Sequence, residues 1–206
     1  AVQAVGSIPV DVNDWNADLL SLSGHKFYGP KGVGALYVRR GVRMDPLIFG
    51  GEQEKGLRAG TENLPGIVGM GAALELAEKE RPEEASRLTR LRTMLLDGLT
   101  AALPDCQMNG HPEHRLPGNL NLRFPLVEGE SLLMRLDLAG IAASAGSACS
   151  SGSMEVSHVL SAMGLSEDEA RGSLRLSLGR ENTEEDIARV VEILPAIVRE
   201  LQELRL

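Results

Sequence analysis

The 206-residue sequence has two cysteines, no excess of basic charge and no long apolar run, and each shortage removes a class of protein. Two thiols, Cys106 and Cys149, cannot build a disulfide framework or a four-thiolate zinc site. With 21 lysines and arginines against 29 aspartates and glutamates, the net charge is −8. Such a surface repels phosphate backbones and anionic lipid, which argues against DNA and membranes as partners. No stretch approaches the ~18 apolar residues of a membrane span, and no basic segment followed by an apolar one opens the chain as a secretory signal. These features predict a cytoplasmic protein. An initiating methionine is also missing. The chain opens on Ala1-Val2-Gln3, which reads like the middle of a polypeptide, so the expectation is a part of a longer protein.

What is present is a mixture of strand and helix patterns. Residues 17–23 and Gly34–Val38 read as short buried strands, with residues 24–32 a glycine-containing loop between them. Pro65 suits the first turn of a helix with Ile67, Val68, Met70, Leu74 and Ala77 as its apolar positions. A second helix is predicted to start at Pro82, aligning Leu88, Leu91, Leu95 and Leu99 before Pro104 ends it. Residues 106–117 read as loop, 119–124 as a strand, 131–138 as a helix, and 141–143 and Ser173–Ser177 as strands. A final helix begins at Thr183, with Asp186 placed for a capping box and Pro195 predicting a kink. The expected class is α/β, with an α/β segment over residues 1–63 and a helix plus an α+β domain over residues 64–206.

Several residues invite a chemical reading, and the residues alone leave each one open. Gly24-His25-Lys26-Phe27-Tyr28-Gly29-Pro30-Lys31 nearly spells a phosphate loop, but Pro30-Lys31 stands where Lys-Ser/Thr is required. Gly32-Val33-Gly34 lacks the third glycine of a dinucleotide fingerprint. Ser23 and His25 are neighbours able to hold an anion. Lys26 beside them is either an ordinary surface lysine or an amine that forms a Schiff base with an aldehyde. Cys149 lies in a tract of alanine, serine and glycine, either a linker with an incidental thiol or a loop that carries a reactive one. Arg175, between Leu174 and Leu176, is either a half-exposed strand residue or a two-pronged grip on a carboxylate. Cys106, His111 and His114 lack the paired spacing of a zinc site, so no metal is expected. His158 reads as a capping or surface residue.

These signals stand in a particular order. Ser23-Gly24-His25-Lys26-Phe27-Tyr28-Gly29-Pro30-Lys31-Gly32-Val33-Gly34-Ala35-Leu36-Tyr37-Val38 closely resembles the cofactor-lysine segment of cysteine desulfurases. Those are pyridoxal 5'-phosphate enzymes of the class V aminotransferase group, with the type I fold of pyridoxal phosphate-dependent transferases. Arg58-Ala59-Gly60-Thr61, Glu128-Gly129-Glu130-Ser131-Leu132, residues 144–150 and Arg175-Leu176-Ser177-Leu178-Gly179-Arg180 follow in the family's order. The long cysteine loop resembles the housekeeping and nitrogen-fixation branch. The resemblance covers essentially the whole chain and places it as a C-terminal half: the end of the large domain over residues 1–63, then the small domain.

The resemblance implies site roles. Lys26 would bear the cofactor and move the Cα proton, Gln3 would bond the cofactor's phenolic oxygen, and Ser23 and His25 would hold its phosphate. Thr61 would reach a phosphate across a homodimer interface, Arg175 would hold the substrate carboxylate, and Cys149 would be the nucleophile. The implied reaction turns L-cysteine into L-alanine and leaves a persulfide on Cys149. Its sulfur would pass to an acceptor such as an iron–sulfur scaffold or a tRNA-thiolation protein. A selenocysteine or cysteine-sulfinate lyase shares these residues, and a non-catalytic fragment or partner-binding module is the reading from another class. Two positions depart from the family: Glu52 replaces a usual glycine and Lys55 a usual arginine. The family's aspartate facing the pyridine nitrogen would fall just upstream of Ala1. The 206 residues alone are therefore expected to hold the cofactor poorly and not to turn over. Stoichiometric cofactor retention and alanine release by this segment alone, read by absorbance and amino-acid analysis, would refute that expectation.

Overall fold

The computed structural model describes residues 1–145 and 156–204. The chain forms two compact units, residues 1–84 and 85–206. The division falls inside a helix, whereas the sequence suggested residue 63, just ahead of it.

In the first unit, β1 (Leu19–Ser23) and β2 (Gly34–Val38) pair antiparallel, with Leu19 opposite Val38 and Ser23 opposite Gly34. A Cβ at position 34 would sit 2.7 Å from the Leu22 carbonyl oxygen, so the close approach of the two strands requires glycine there. The strands were expected to be buried. Leu20 is buried, but Leu19 and Leu36 are both about half exposed. An apolar strand is buried only by what packs on its faces, and little packs on this two-stranded sheet. The core of this unit is the small cluster of Val5, Phe27 and Ala77, with Leu22, Met70 and Ala73 against it.

The helix α1 runs Leu64–Ala102, 39 residues without interruption. Its start is capped by Asn63, whose Oδ1 accepts from the Gly66 amide at 3.2 Å. Two helices were expected, the second starting at Pro82, but the helix passes through this proline. Pro82 removes one backbone hydrogen bond, yet it lies on an exposed stretch where water can take up the released carbonyl. The residues around it are strong helix formers, and Arg81 pairs with Glu78 at 2.7 Å one turn back.

The second unit is a three-stranded antiparallel sheet ordered β3-β4-β5, with β3 at Gln107–Met108, β4 at Asn119–Arg123 and β5 at Ser173–Ser177. The short β3 lies in a stretch expected to be loop. Helices α2 (Gly129–Leu138), α3 (His158–Ala162), α4 (Glu167–Arg171) and α5 (Glu184–Glu203) complete it. Because side chains alternate along a strand, Leu120, Leu122, Leu174 and Leu176 share one face and are all buried. They join Leu91, Leu95 and Leu99 of α1, Leu132 and Leu136 of α2, and Ile187, Leu194 and Val198 of α5 in one core. The opposite face carries Asn119, Asn121, Arg123, Ser173, Arg175 and Ser177.

The capping box of α5 forms as expected: Thr183 Oγ1 accepts from the Asp186 amide, and the Asp186 carboxylate accepts from the Thr183 amide at 3.0 Å. Residues 141–143, expected as a strand, are irregular. Ile141 turns into the core, and only Ser144 bridges to β5. Leu174→Ala removes a fully buried side chain from the middle of this core and is expected to cost about 2–5 kcal/mol, read as a shift of the urea unfolding midpoint.

Candidate active site

The lysine segment is built by the end of β1. Ser23 is the last strand residue, and Gly24–Phe27 then makes a single 3-10 turn. Phe27 is buried and anchors the turn in the core of the first unit, while His25 and Lys26 remain exposed. The turn closes at Tyr28, which takes a left-handed backbone with φ 66° and sends its amide to the Gly24 carbonyl. Gly24 is itself buried, and its amide donates to the Val33 carbonyl at 3.0 Å. A side chain at position 24 would press on the Pro30 carbonyl and Val33, both 3.1 Å from its Cβ. Glycine therefore suits this position, since a Cβ would push on both neighbours by a few tenths of an ångström.

Ser23 Oγ and His25 Nδ1 lie 3.0 Å apart, so two of the residues expected to bind an anion are brought together. Gln3 is exposed in the N-terminal turn. That turn is tied to the strand by the Ala1 amino group, which donates to the Ser21 carbonyl at 2.9 Å, and by Val5, which packs in the cluster with Phe27. Thr61 is exposed in the extended stretch before α1. Near it, the Gly60 amide donates to Gln53 Oε1 at 3.1 Å and Arg58 Nη1 donates to the Gly60 carbonyl at 3.2 Å.

Arg175 belongs to the second unit, at the centre of β5. Its backbone is held on both sides: it pairs in register with Asn121 of β4, and on the other edge it exchanges hydrogen bonds with Ser144 at 2.5 and 3.1 Å. The side chain is thus carried on a stiff backbone. Its Nε is buried and has no hydrogen-bond partner among the described residues. A buried, permanently protonated donor left open costs stability unless something fills the position, and a carboxylate suits it. Cys149 lies outside the described residues.

The other candidates resolve into structural parts. Cys106 is buried, and loss of hydration pushes its thiol up to about 11, the opposite of what a nucleophile needs. His111 Nδ1 accepts from the amides of Glu113 and His114 at 3.0 and 2.9 Å, which makes it a turn-closing residue. Among the described residues no three of His, Cys, Asp and Glu gather as a metal group. His158 is the exposed first residue of α3, with Ser157 at the cap position. Sequence reasoning missed the polar network on the sheet's open face, where Asn109 Nδ2 donates to Asn121 Oδ1 at 2.8 Å and to Ser173 Oγ at 3.0 Å. The alternation Asn119, Asn121, Arg123 was the available signal.

The profile of the class-V aminotransferases matches residues 1–190. This chain belongs to that family. Among curated family members, it is 56% identical over 204 residues to the cysteine desulfurase IscS of Methanosarcina thermophila, covering 99% of this chain and 50% of the relative. It is 53% identical over 204 residues to IscS 1 of Archaeoglobus fulgidus, covering 99% of this chain and 53% of that relative. The chain therefore spans about half the length of the curated relatives it matches. Its mixed α/β fold superposes on a solved NifS-like protein with a TM-score of 0.81 at 39% identity, over 99% of this chain and 50% of the other. A NifS-like protein from Rickettsia africae gives 0.87 at 33% identity, over 96% and 52%. Among the described residues no helix is long and apolar enough to cross a membrane.

In a Cys149→Ala chain at pH 8, Cys106 is expected to react with a disulfide reagent at least tenfold more slowly than free cysteine. A pKa of about 11 leaves roughly one thiol in a thousand ionised at that pH. Urea should restore the ordinary rate, and fast labelling of the native chain would contradict the burial argument.

Proposed function

We propose that this chain supplies the reacting residues of a pyridoxal 5'-phosphate-dependent cysteine desulfurase, which releases L-alanine from L-cysteine and leaves a persulfide on Cys149. The observation that carries the reading is the open, buried Nε of Arg175 on a strand braced from both sides. It supports an acidic, planar ligand group such as an amino-acid carboxylate. The identity of 56% with a protein named cysteine desulfurase, across nearly the whole chain, supports the reaction.

The residues of the first unit fit the cofactor: an exposed lysine, a serine and histidine 3.0 Å apart, and a buried glycine that a Cβ would crowd, all on one short turn. When bound, pyridoxal phosphate withdraws electrons from the substrate's Cα and makes the proton there removable. Lys26 is the amine that would hold it, and also the base that takes and returns that proton. Ser23 and His25 would hold the phosphate, and Gln3 the phenolic oxygen. Arg175 fixes the carboxylate and so sets which substrate bond faces the base.

Cys149 as thiolate attacks the substrate sulfur. The S–S bond forms as the C–S bond breaks, and the substrate carbon keeps that electron pair and takes a proton to end as the methyl group of alanine. The sulfur then passes from Cys149 to a thiol-bearing acceptor, such as an iron–sulfur scaffold or a tRNA-thiolation protein. Thr61 acts on the cofactor phosphate of a second subunit, which makes the working enzyme a homodimer.

The test uses full-length protein. Alanine and sulfide are expected on adding L-cysteine, Cys149→Ala should form no persulfide, and Lys26→Ala should lose the visible band of the lysine-bound cofactor. Normal persulfide from Cys149→Ala, or faster alanine release from L-selenocysteine or L-cysteine sulfinate, would overturn the assignment.

A further inference from the structure

The polar face of the sheet in the second unit is arranged by a directional chain of hydrogen bonds. Arg123 can only donate, and its Nη1 donates to Asn109 Oδ1 at 2.6 Å. The Asn109 amide is therefore oriented with its nitrogen the other way, and Nδ2 spends both hydrogens, on Asn121 Oδ1 at 2.8 Å and Ser173 Oγ at 3.0 Å. Ser173 in turn donates to the Glu169 carbonyl at 2.9 Å. Asn109 and Ser173 are both buried, so water does not compete for these bonds. Asn121 therefore turns its oxygen toward Asn109, and its Nδ2 makes no hydrogen bond among the described residues.

Asn121 stands directly opposite Arg175 across the β4–β5 ladder. Residues so paired point to the same face, with Cβ atoms about 5 Å apart. Two neighbouring side chains thus end in spare donors, the amide of Asn121 and the guanidinium of Arg175, whose Nε is buried and open. Two donors cannot satisfy each other. A group with acceptors only, and preferably negative charge, satisfies both.

We propose that Asn121 binds the substrate carboxylate together with Arg175, and that the Arg123–Asn109 relay holds its amide with the donor outward. The proposal rests on the desulfurase reading for the identity of that carboxylate. Asn121 is then a substrate-binding residue, while Asn109 and Arg123 are positioning residues that act through it.

The test is steady-state kinetics on the full-length enzyme with L-cysteine, alongside inhibition by cysteamine, which keeps the thiol and amine but has no carboxylate. Asn121→Ala is expected to raise KM for L-cysteine about tenfold with kcat within about twofold, and to leave the cysteamine inhibition constant within about twofold. Asn121→Asp places an anion beside Arg175 and should raise KM further. Asn109→Asp keeps the bond to Arg123 but cannot donate, so the Asn121 amide reverses and turns its oxygen to Arg175. That variant should also raise KM about tenfold without touching Asn121 or Arg175. An unchanged KM in Asn121→Ala overturns the proposal, as does an equal loss of cysteamine affinity, which would mean general distortion. Wild-type enzyme that releases no alanine removes the desulfurase reading and this proposal together. Active wild type with unaffected variants removes this proposal alone.

Discussion

The alternation of side chains along β4 and β5 is the constraint on which the second unit depends. Leu120, Leu122, Leu174 and Leu176 are driven to one side by the gain from burying them, and they meet the leucines of α1 and α2 and the apolar stripe of α5. The period of two leaves no freedom for the residues between them. Asn121, Arg123, Ser173 and Arg175 must take the other face, whatever the cost of holding a guanidinium there. Core formation and the presentation of Arg175 are one event, because a one-residue slip of β5 would turn the arginine toward the core and Leu174 and Leu176 away from it.

The first unit uses a different device. β1 ends where the chain must turn, and Gly24 keeps that turn tight, because a Cβ there would crowd the Pro30 carbonyl and Val33. Phe27 closes the turn into the core, so His25 and Lys26, just before it, are left outside. The lysine is held by its neighbours' packing. Its own side chain is free for chemistry, which matches its role as the amine of the proposed reaction.

Much of this was legible in the sequence because the signals were local. The cap of α5 is written in Thr183 and Asp186, three residues apart, and β5 in the alternation of Ser173–Ser177. The leucine spacing of residues 88–99 marked the helix face that reaches the core. The errors arose where one strong local signal was overruled. Pro82 suggested a helix start, but an exposed proline between strong helix formers is carried within α1. Residues 141–143 were apolar enough for a strand, yet Ile141 is used by the core and only Ser144 finds a strand partner.

The sequence by itself determined the order of the motifs that hold Lys26, Cys149 and Arg175, and the roles proposed for them come from the resemblance of those motifs to the cysteine desulfurases. It also determined which strand face is apolar, because side-chain alternation is a local property. Tertiary structure alone decided which polar groups become partners. Asn109, Asn121 and Ser173 are scattered along the chain, and they form a relay only because β3, β4 and β5 align in one register. The direction of that relay follows from Arg123, which cannot accept a hydrogen bond, and beside it the Nε of Arg175 has no partner among the described residues.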